Sequence, residues 1–420
     1  MLLKFQGFAR CFIGSERAAA SAVRISAGPS LPVPPAPASV PLPDNDDLLR
    51  EILLRLPPLP SSLPRASLVC KHWRRLVSDP GFLRRFRDHH RTPPLLGYFF
   101  SGSGGPVFTP TLAPPNCIPP ERFSLPEQPA GERLFVLGCR HGLALLINRR
   151  RLHATVWDPI TNRKFTVAYP PEFTADNGAH CFRGAVLSSA GGDGYDDGHL
   201  RPFKVILIST HINDGHTSVF MCVYESLTGK WGNTILTIIP SYLFNLPNVL
   251  VGNAALCGFF LWPDGILELD LDRHTLGTIQ TPTSSLPVDS SLFRVVRTQD
   301  RGLGLAILSR LSVQLWGRKA DSDGGAAGWV LQKTVEVDKL LSLPPSMMAN
   351  VPARILGYDE DNNAVHLATS TGAYAVQLES MQFTELSSVY SISGHPYTSF
   401  YTAGWGIVEG DNSTEILNSA

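Results

Sequence analysis

Charge is scarce in this chain. Asp, Glu, Lys and Arg make up 17% of its 420 residues, and the formal net charge is zero. That removes any whole-chain electrostatic case for a nucleic-acid or membrane partner. Long apolar runs are also missing. The most apolar stretches, Val205–Ile208 and Ala254–Trp262, have strand length, well short of the roughly 18–20 residues that span a bilayer. Cysteine is sparse: Cys11, Cys70, Cys117, Cys139, Cys181, Cys222 and Cys257 are scattered, odd in number and free of any Cys-x-x-Cys pair. The pattern fits a reduced intracellular protein using them as small apolar residues, and it argues against zinc. Asn412-Ser413-Thr414 matches a glycosylation sequon without a secretory signal.

Catalytic signatures are missing as well. A nucleophile elbow needs a strand-to-helix turn, and the C-terminal region offers few helices. Ser101-Gly102-Ser103-Gly104-Gly105 lacks the Lys and helix of a phosphate loop, and Gly302-x-Gly304 sits inside a strand pattern. The acid-rich run Gly191–Gly198 offers oxygens to calcium but no bidentate Glu, so it reads as a solvated loop. In Cys139-Arg140-His141 the side chains of neighbouring strand positions diverge, giving a core cysteine and a loop histidine. No catalytic residue, metal or cofactor is expected.

What is abundant is Gly and Pro, 36 and 35 residues, which favours strands and turns. Residues 1–40 form an Ala/Ser/Pro-rich extension expected to be disordered. Lys4, Arg10, Arg17 and Arg24 against Glu16 give its start some likeness to an organellar transit peptide, and a plain disordered extension or a wrongly assigned translation start is the favoured alternative, since the cytosol or nucleus better suits the helical region beyond it. Residues 28–43 alternate Pro with Ala, Ser and Val and act as a spacer.

That helical region spans residues 41–92. Asp44–Asp47 supply capping oxygens, and Leu48, Leu49, Ile52, Leu53 and Leu56 repeat at helical spacing until Pro57-Pro58. A second helix is expected over Arg65–Leu76 after a Leu59–Pro64 connection, and a short third over Phe82–His89. Arg65, Lys71, Arg74, Arg75, Arg84, Arg85, Arg87 and Arg91 face only Asp79 and Asp88, which reads as a solvated face or a match to an acidic protein. So few residues seldom bury enough surface alone, and Trp73 is a side chain favoured at binding hot spots. The region reads as a docking surface.

From residue 93 to 410 the texture is all-β. Short runs rich in β-branched and aromatic residues alternate with turn signals, from Leu95–Phe100 to Phe383–Val389. A weak repeat, clearest at Val156–Asn162 and Val223–Trp231, recurs at roughly the spacing of four-stranded propeller blades. A β-propeller of about six irregular blades is the expected architecture, and a β-sandwich is the alternative. Residues 411–420 form a tail.

Leu42-Pro43, Leu48-Leu49-x-Glu51-Ile52-Leu53-x-Arg55-Leu56, Arg65, Val69-Cys70-Lys71-x-Trp73-Arg74-x-Leu76-Val77 and Asp79-Pro80-x-Phe82 together resemble the F-box. The remainder resembles the propeller-like associated domain of plant F-box proteins. The resemblance implies an α+β multidomain protein, a small all-α F-box ahead of a large all-β body. It implies that Leu42, Pro43, Leu49, Ile52, Leu53, Val69, Cys70, Trp73 and Leu76 form the adaptor-facing and supporting apolar surface for a Skp1-like protein. Through that adaptor the chain would join a cullin and a RING subunit, as the non-catalytic substrate receptor of a ubiquitin ligase. A Skp1-bound scaffold that delivers nothing for degradation, or a propeller with its own hydrolase or carbohydrate site, are the alternatives. The last of these would require acids or histidines converging at the blade mouths.

Overall fold

The acids at the start of the helical region and the apolar repeat behind them form α1, Asp46–Leu54. Its end tightens through i→i+3 bonds, Arg55 N to Ile52 O and Leu56 N to Leu53 O, each 3.2 Å. The single helix expected over Arg65–Leu76 is instead two, α2 (Ser62–Ser67) and α3 (Lys71–Ser78). Cys70 breaks it by adopting extended backbone (φ −163°, ψ 168°), and its Sγ accepts from Trp73 N at 3.5 Å as an N-cap. A cap of this kind leaves no sequence signal, because cysteine is not among the usual capping residues. Helix α4, Pro80–His90, starts by the ordinary rules: Pro80 occupies its first turn and Asp79 Oδ2 accepts from Phe82 N at 2.8 Å.

These are features of a computed structural model that describes residues 46–125, 129, 132–173, 181–188, 200–213, 216–239, 247–252, 255–261, 265–282, 289–319, 327–341, 353–386 and 394–401. The N-terminal extension, Leu42 and Pro43, the Gly191–Gly198 run and the tail 411–420 lie outside the described residues. Residues 47–420 make one compact unit.

Six antiparallel sheets come after the helices among the described residues, arranged as a β-propeller rather than a sandwich. Blade II shows the plan, with Leu134–Arg140, Leu143–Asn148, His153–Asp158 and Arg163–Ala168 running from the channel outward. Blade III starts at Cys181–Ser188, and its outer edge is shared by Lys230–Trp231 and Ile235–Ile239, both paired with His216–Glu225. Blades IV, V and VI start at Val249–Val251, Phe293–Arg297 and Arg354–Asp359. Blade I is built from both ends of the body: Leu95–Ser101 pairs with Pro106–Pro110 on one side and with His395–Thr398 on the other. The inner strands of blades VI, I and II adjoin one another, so the C-terminal strand closes the ring. A closed ring leaves only short outer edges to manage.

Between blades the core is continuous. Leu145, Val156, Val205 and Leu207 join blades II and III, and Ile206, Ile208, Leu267 and Leu269 join III and IV. The closing strand is fixed by aromatic packing. Tyr397, fully buried, meets Phe99 edge-on at 5.2 Å between centroids, and Phe99 meets Trp157 at 5.4 Å.

The weak repeat in the sequence has a local cause. Asp158 Oδ1 accepts from Ile160 N (2.9 Å) and Thr161 N (3.3 Å), and Asn162 takes φ +55°. Asp270 does the same for Asp272 N and Arg273 N before His274, and Asp359 for Asp361 N and Asn362 N before Asn363. Each is a hairpin turn set by an aspartate whose fifth position is left-handed.

Candidate functional site

Eight side chains form the core of the helical region: Leu53, Leu54, Leu63, Ala66, Leu76, Val77, Phe82 and Phe86. Two of the residues expected to form the adaptor surface are therefore interior. Leu53 is 0% and Leu76 2% exposed. Leu49 and Trp73 are half-buried against the same core. Ile52 (46% exposed), Val69 (60%) and Cys70 face solvent. Leu48 and Leu68 are exposed beside them in sequence, and they extend the set beyond the residues picked from the motif. Leu48 and Ile52, four apart, share one side of α1. Of the basic residues, Arg85 pairs with Glu51 at 2.9 Å and Arg75 Nη2 meets His72 Nδ1 at 3.1 Å.

The helices are seated on the propeller. Asn116 Oδ1 accepts from Ser61 N (3.2 Å) and Ser61 Oγ (2.8 Å), Phe86 meets Phe400 edge-on at 6.4 Å, and Asn362 Nδ2 donates to Pro93 O at 3.3 Å. No short motif reveals this seam, since Asn116 and Phe400 are far from the helices in sequence.

A second candidate region is the channel mouth on the helix side, a cavity of about 790 Å³ whose lining includes Arg91, His141, Lys204, Arg297, Glu360 and Asp361. Acids and a histidine converge here, and each is hydrogen-bonded to neighbouring strands or turns. Glu360 pairs with Arg140, accepts from Leu250 N at 3.4 Å, and its carbonyl accepts from Arg297 Nη2. Arg140 also donates to Asn248 Oδ1 (3.1 Å) and Asn248 O (3.0 Å), and Asn248 Nδ2 donates to Gly184 O at 3.1 Å. Asp361 accepts from Thr398 Oγ1. One network thus joins all six inner strands.

Its electrostatics come from burial. Burial, then the charge of Asp361, pushes the Asp359 carboxyl up to about 7. Burial and then the neighbouring Arg140 hold His141 below the ordinary histidine range, against the pull of Asp361 and Glu360. His141 Nδ1 accepts from Ser188 N at 3.3 Å, so this nitrogen carries no proton. Burial pushes the Cys139 thiol up, and its side chain packs against the core cluster that contains Leu146 and Trp157. Among the described residues no His/Cys/Asp/Glu group has the arrangement of a metal site.

The described residues thus combine a helical module that carries uncovered apolar side chains with a β-propeller. Residues 45–85 match the F-box domain, and residues 135–395 match the family described as "F-box protein AT5G49610-like, beta-propeller". The chain belongs to this family of plant F-box β-propeller proteins. Two Arabidopsis thaliana relatives agree with it. The F-box protein At3g16210 is 27% identical over 205 residues, 47% of this chain and 48% of the relative. The F-box/kelch-repeat protein At1g15680 is 27% identical over 198 residues, 44% of this chain and 45% of the relative. The chain thus spans about half the length of the curated relatives it matches. Among solved structures, the six-bladed Aleuria aurantia lectin aligns at TM-score 0.35 and 12% identity, over 73% of this chain and 99% of that one. Apo AztD from Citrobacter koseri aligns at TM-score 0.31 and 13% identity, over 72% and 88%.

Proposed function

We propose that this protein is the substrate receptor of a Skp1–cullin–F-box ubiquitin ligase. The helical region docks to a Skp1-like adaptor through Ile52, Val69 and Cys70, flanked by Leu48 and Leu68 and backed by Leu49 and Trp73. Leu53 and Leu76 support that surface from below. The propeller holds a target protein near a ubiquitin-charged enzyme, and catalysis is proximity, with the chemistry on other subunits. The chain itself is a non-catalytic receptor working in the cytosol or nucleus.

One observation carries this reading. The helices already own a core of eight side chains, yet four of the twelve exposed large hydrophobics among the described residues, Leu48, Ile52, Leu68 and Val69, fall between positions 48 and 69. Self-packing leaves these uncovered, and apolar surface concentrated in this way marks a protein interface. The test is affinity purification of the tagged chain with the proteasome blocked. The reading requires a Skp1-like adaptor in the eluate and ubiquitinated proteins that disappear when adaptor binding is broken. An eluate without adaptor contradicts it.

A further inference from the structure

The strand Leu134–Arg140 spans roughly 20 Å from one face of the propeller to the other. Its Arg140 end lies at the mouth shared with Arg91 and Thr92, on the side of the helices. At its Leu134 end, on the opposite face, three exposed arginines gather. The guanidinium carbons of Arg133 and Arg149 stand 4.9 and 4.7 Å from the centroid of the Phe135 ring, and Arg150 is next in the same hairpin turn.

The patch is held in place. Arg133 Nε donates to Gly102 O at 2.8 Å and its Nη2 to Ser101 O at 3.3 Å, which ties it to the glycine-rich turn of blade I. That turn is closed by Gly102 N to Gly105 O at 2.7 Å, and the space around Gly104 is open. The Arg149–Arg150 turn is pinned by Asn148 Oδ1, which accepts from Arg150 N and Arg151 N at 3.0 Å each. The neighbouring carboxylate, Glu132, is already engaged by Arg151 Nε at 2.6 Å and by Asn148 Nδ2 at 3.1 Å.

Two guanidinium groups on one ring repel each other, and the ring restricts rotamers that an arginine would otherwise lose on binding. A ligand that brings negative charge to them relieves the repulsion and gains forked hydrogen bonds. We propose that this patch is the docking site for an anionic segment of a partner protein, carboxylate-rich or phosphorylated. The proposal rests on the receptor reading above and assigns its recognition face, away from the adaptor surface. A protein segment fits better than nucleic acid, because the patch occupies one end of one blade in a chain of zero net charge, whereas nucleic acid demands an extended basic stripe.

The test uses the full chain and its Arg149→Glu/Arg150→Glu variant, with Arg133 kept for its structural bonds. Fluorescence anisotropy is read with a poly-glutamate peptide, a phosphoserine peptide and an uncharged control, and with single-stranded DNA and phosphatidylserine vesicles as competitors. The wild type should bind at least one anionic peptide and not the control. The double variant should bind it at least about tenfold more weakly, and added salt should weaken the wild-type complex. Equal binding by the variant, no binding of either anionic peptide by the wild type, or tighter binding of DNA or vesicles overturns the proposal. Capture of a Skp1-like adaptor is measured on the same two proteins. Retained capture beside failed peptide binding sinks the patch alone, while a wild type without adaptor sinks the receptor reading.

Discussion

Arg140 and Glu360, 220 positions apart in sequence, close an ion pair at the propeller channel between blades II and VI, with side chains 9% and 16% exposed. Neither blade is the sequence neighbour of the other. Asn248 and Leu250 of blade IV share the same two residues, so the pair ties non-adjacent parts of the ring.

Glu360→Gln should therefore loosen the whole propeller. Removing one partner of a buried pair leaves an uncompensated charge, at a cost of about 3–5 kcal/mol. The urea midpoint should fall accordingly. The double replacement Arg140→Met/Glu360→Met should cost less than the two single changes together, because no charge is left stranded.

Ile52→Asp and Leu53→Asp, adjacent substitutions, should fail differently. Ile52 is exposed, so its replacement should abolish adaptor capture and shift thermal stability by less than about 1 kcal/mol. Leu53 is wholly buried, so its replacement should cost several kcal/mol (about 3–5) and remove amide protection from all four helices. Hydrogen exchange read together with pull-down separates the two.

That contrast also marks how far the sequence reached. The repeat of Leu48, Leu49, Ile52, Leu53 and Leu56 announces a helix and an apolar surplus. It does not say which side is inward, since Leu49 and Leu53 lie about 100° around the helix from Leu48 and Ile52 respectively, and both stripes are apolar. Strands with β-branched runs, such as Leu143–Asn148 and Ser312–Lys319, were legible from their composition. Pro106–Pro110, bounded by prolines at an edge, and the polar outer strand Thr275–Gln280 were not. The closing strand His395–Thr398 and the Arg140–Glu360 pair were beyond reach because ring closure has no local pattern.

Stability should peak near pH 6.5. Burial holds His366 down to about 3 and His395 to about 4, against an ordinary 6.5. Their contribution is full above about 6.5 and is lost as pH falls toward those values. Asp359 acts in the opposite sense. With its carboxyl pushed up to about 7, the folded state keeps a proton that the unfolded chain releases near 3.8, so stability falls as pH rises through that window. Each group contributes about 1.4 kcal/mol per pH unit, and two histidines outweigh one aspartate below 6.5. Thermal unfolding across about pH 4.5–8 should show that maximum, and Asp359→Asn should steepen the acid slope and remove the alkaline decline.

Asn116→Ala should unseat α2. Ser61 loses the acceptor for both its amide and its hydroxyl, a loss of about 1–3 kcal/mol. Hydrogen exchange in α2 should speed up while the blade II strands keep their protection.

The most direct measurement is calorimetric titration of a Skp1-like adaptor into the purified chain, beside the Ile52→Asp/Val69→Asp variant. The account predicts saturable one-to-one binding with the negative heat-capacity change of apolar burial, and no heat from the variant despite an unchanged melting temperature. Equal binding by the folded variant, or none by the wild type, would contradict it.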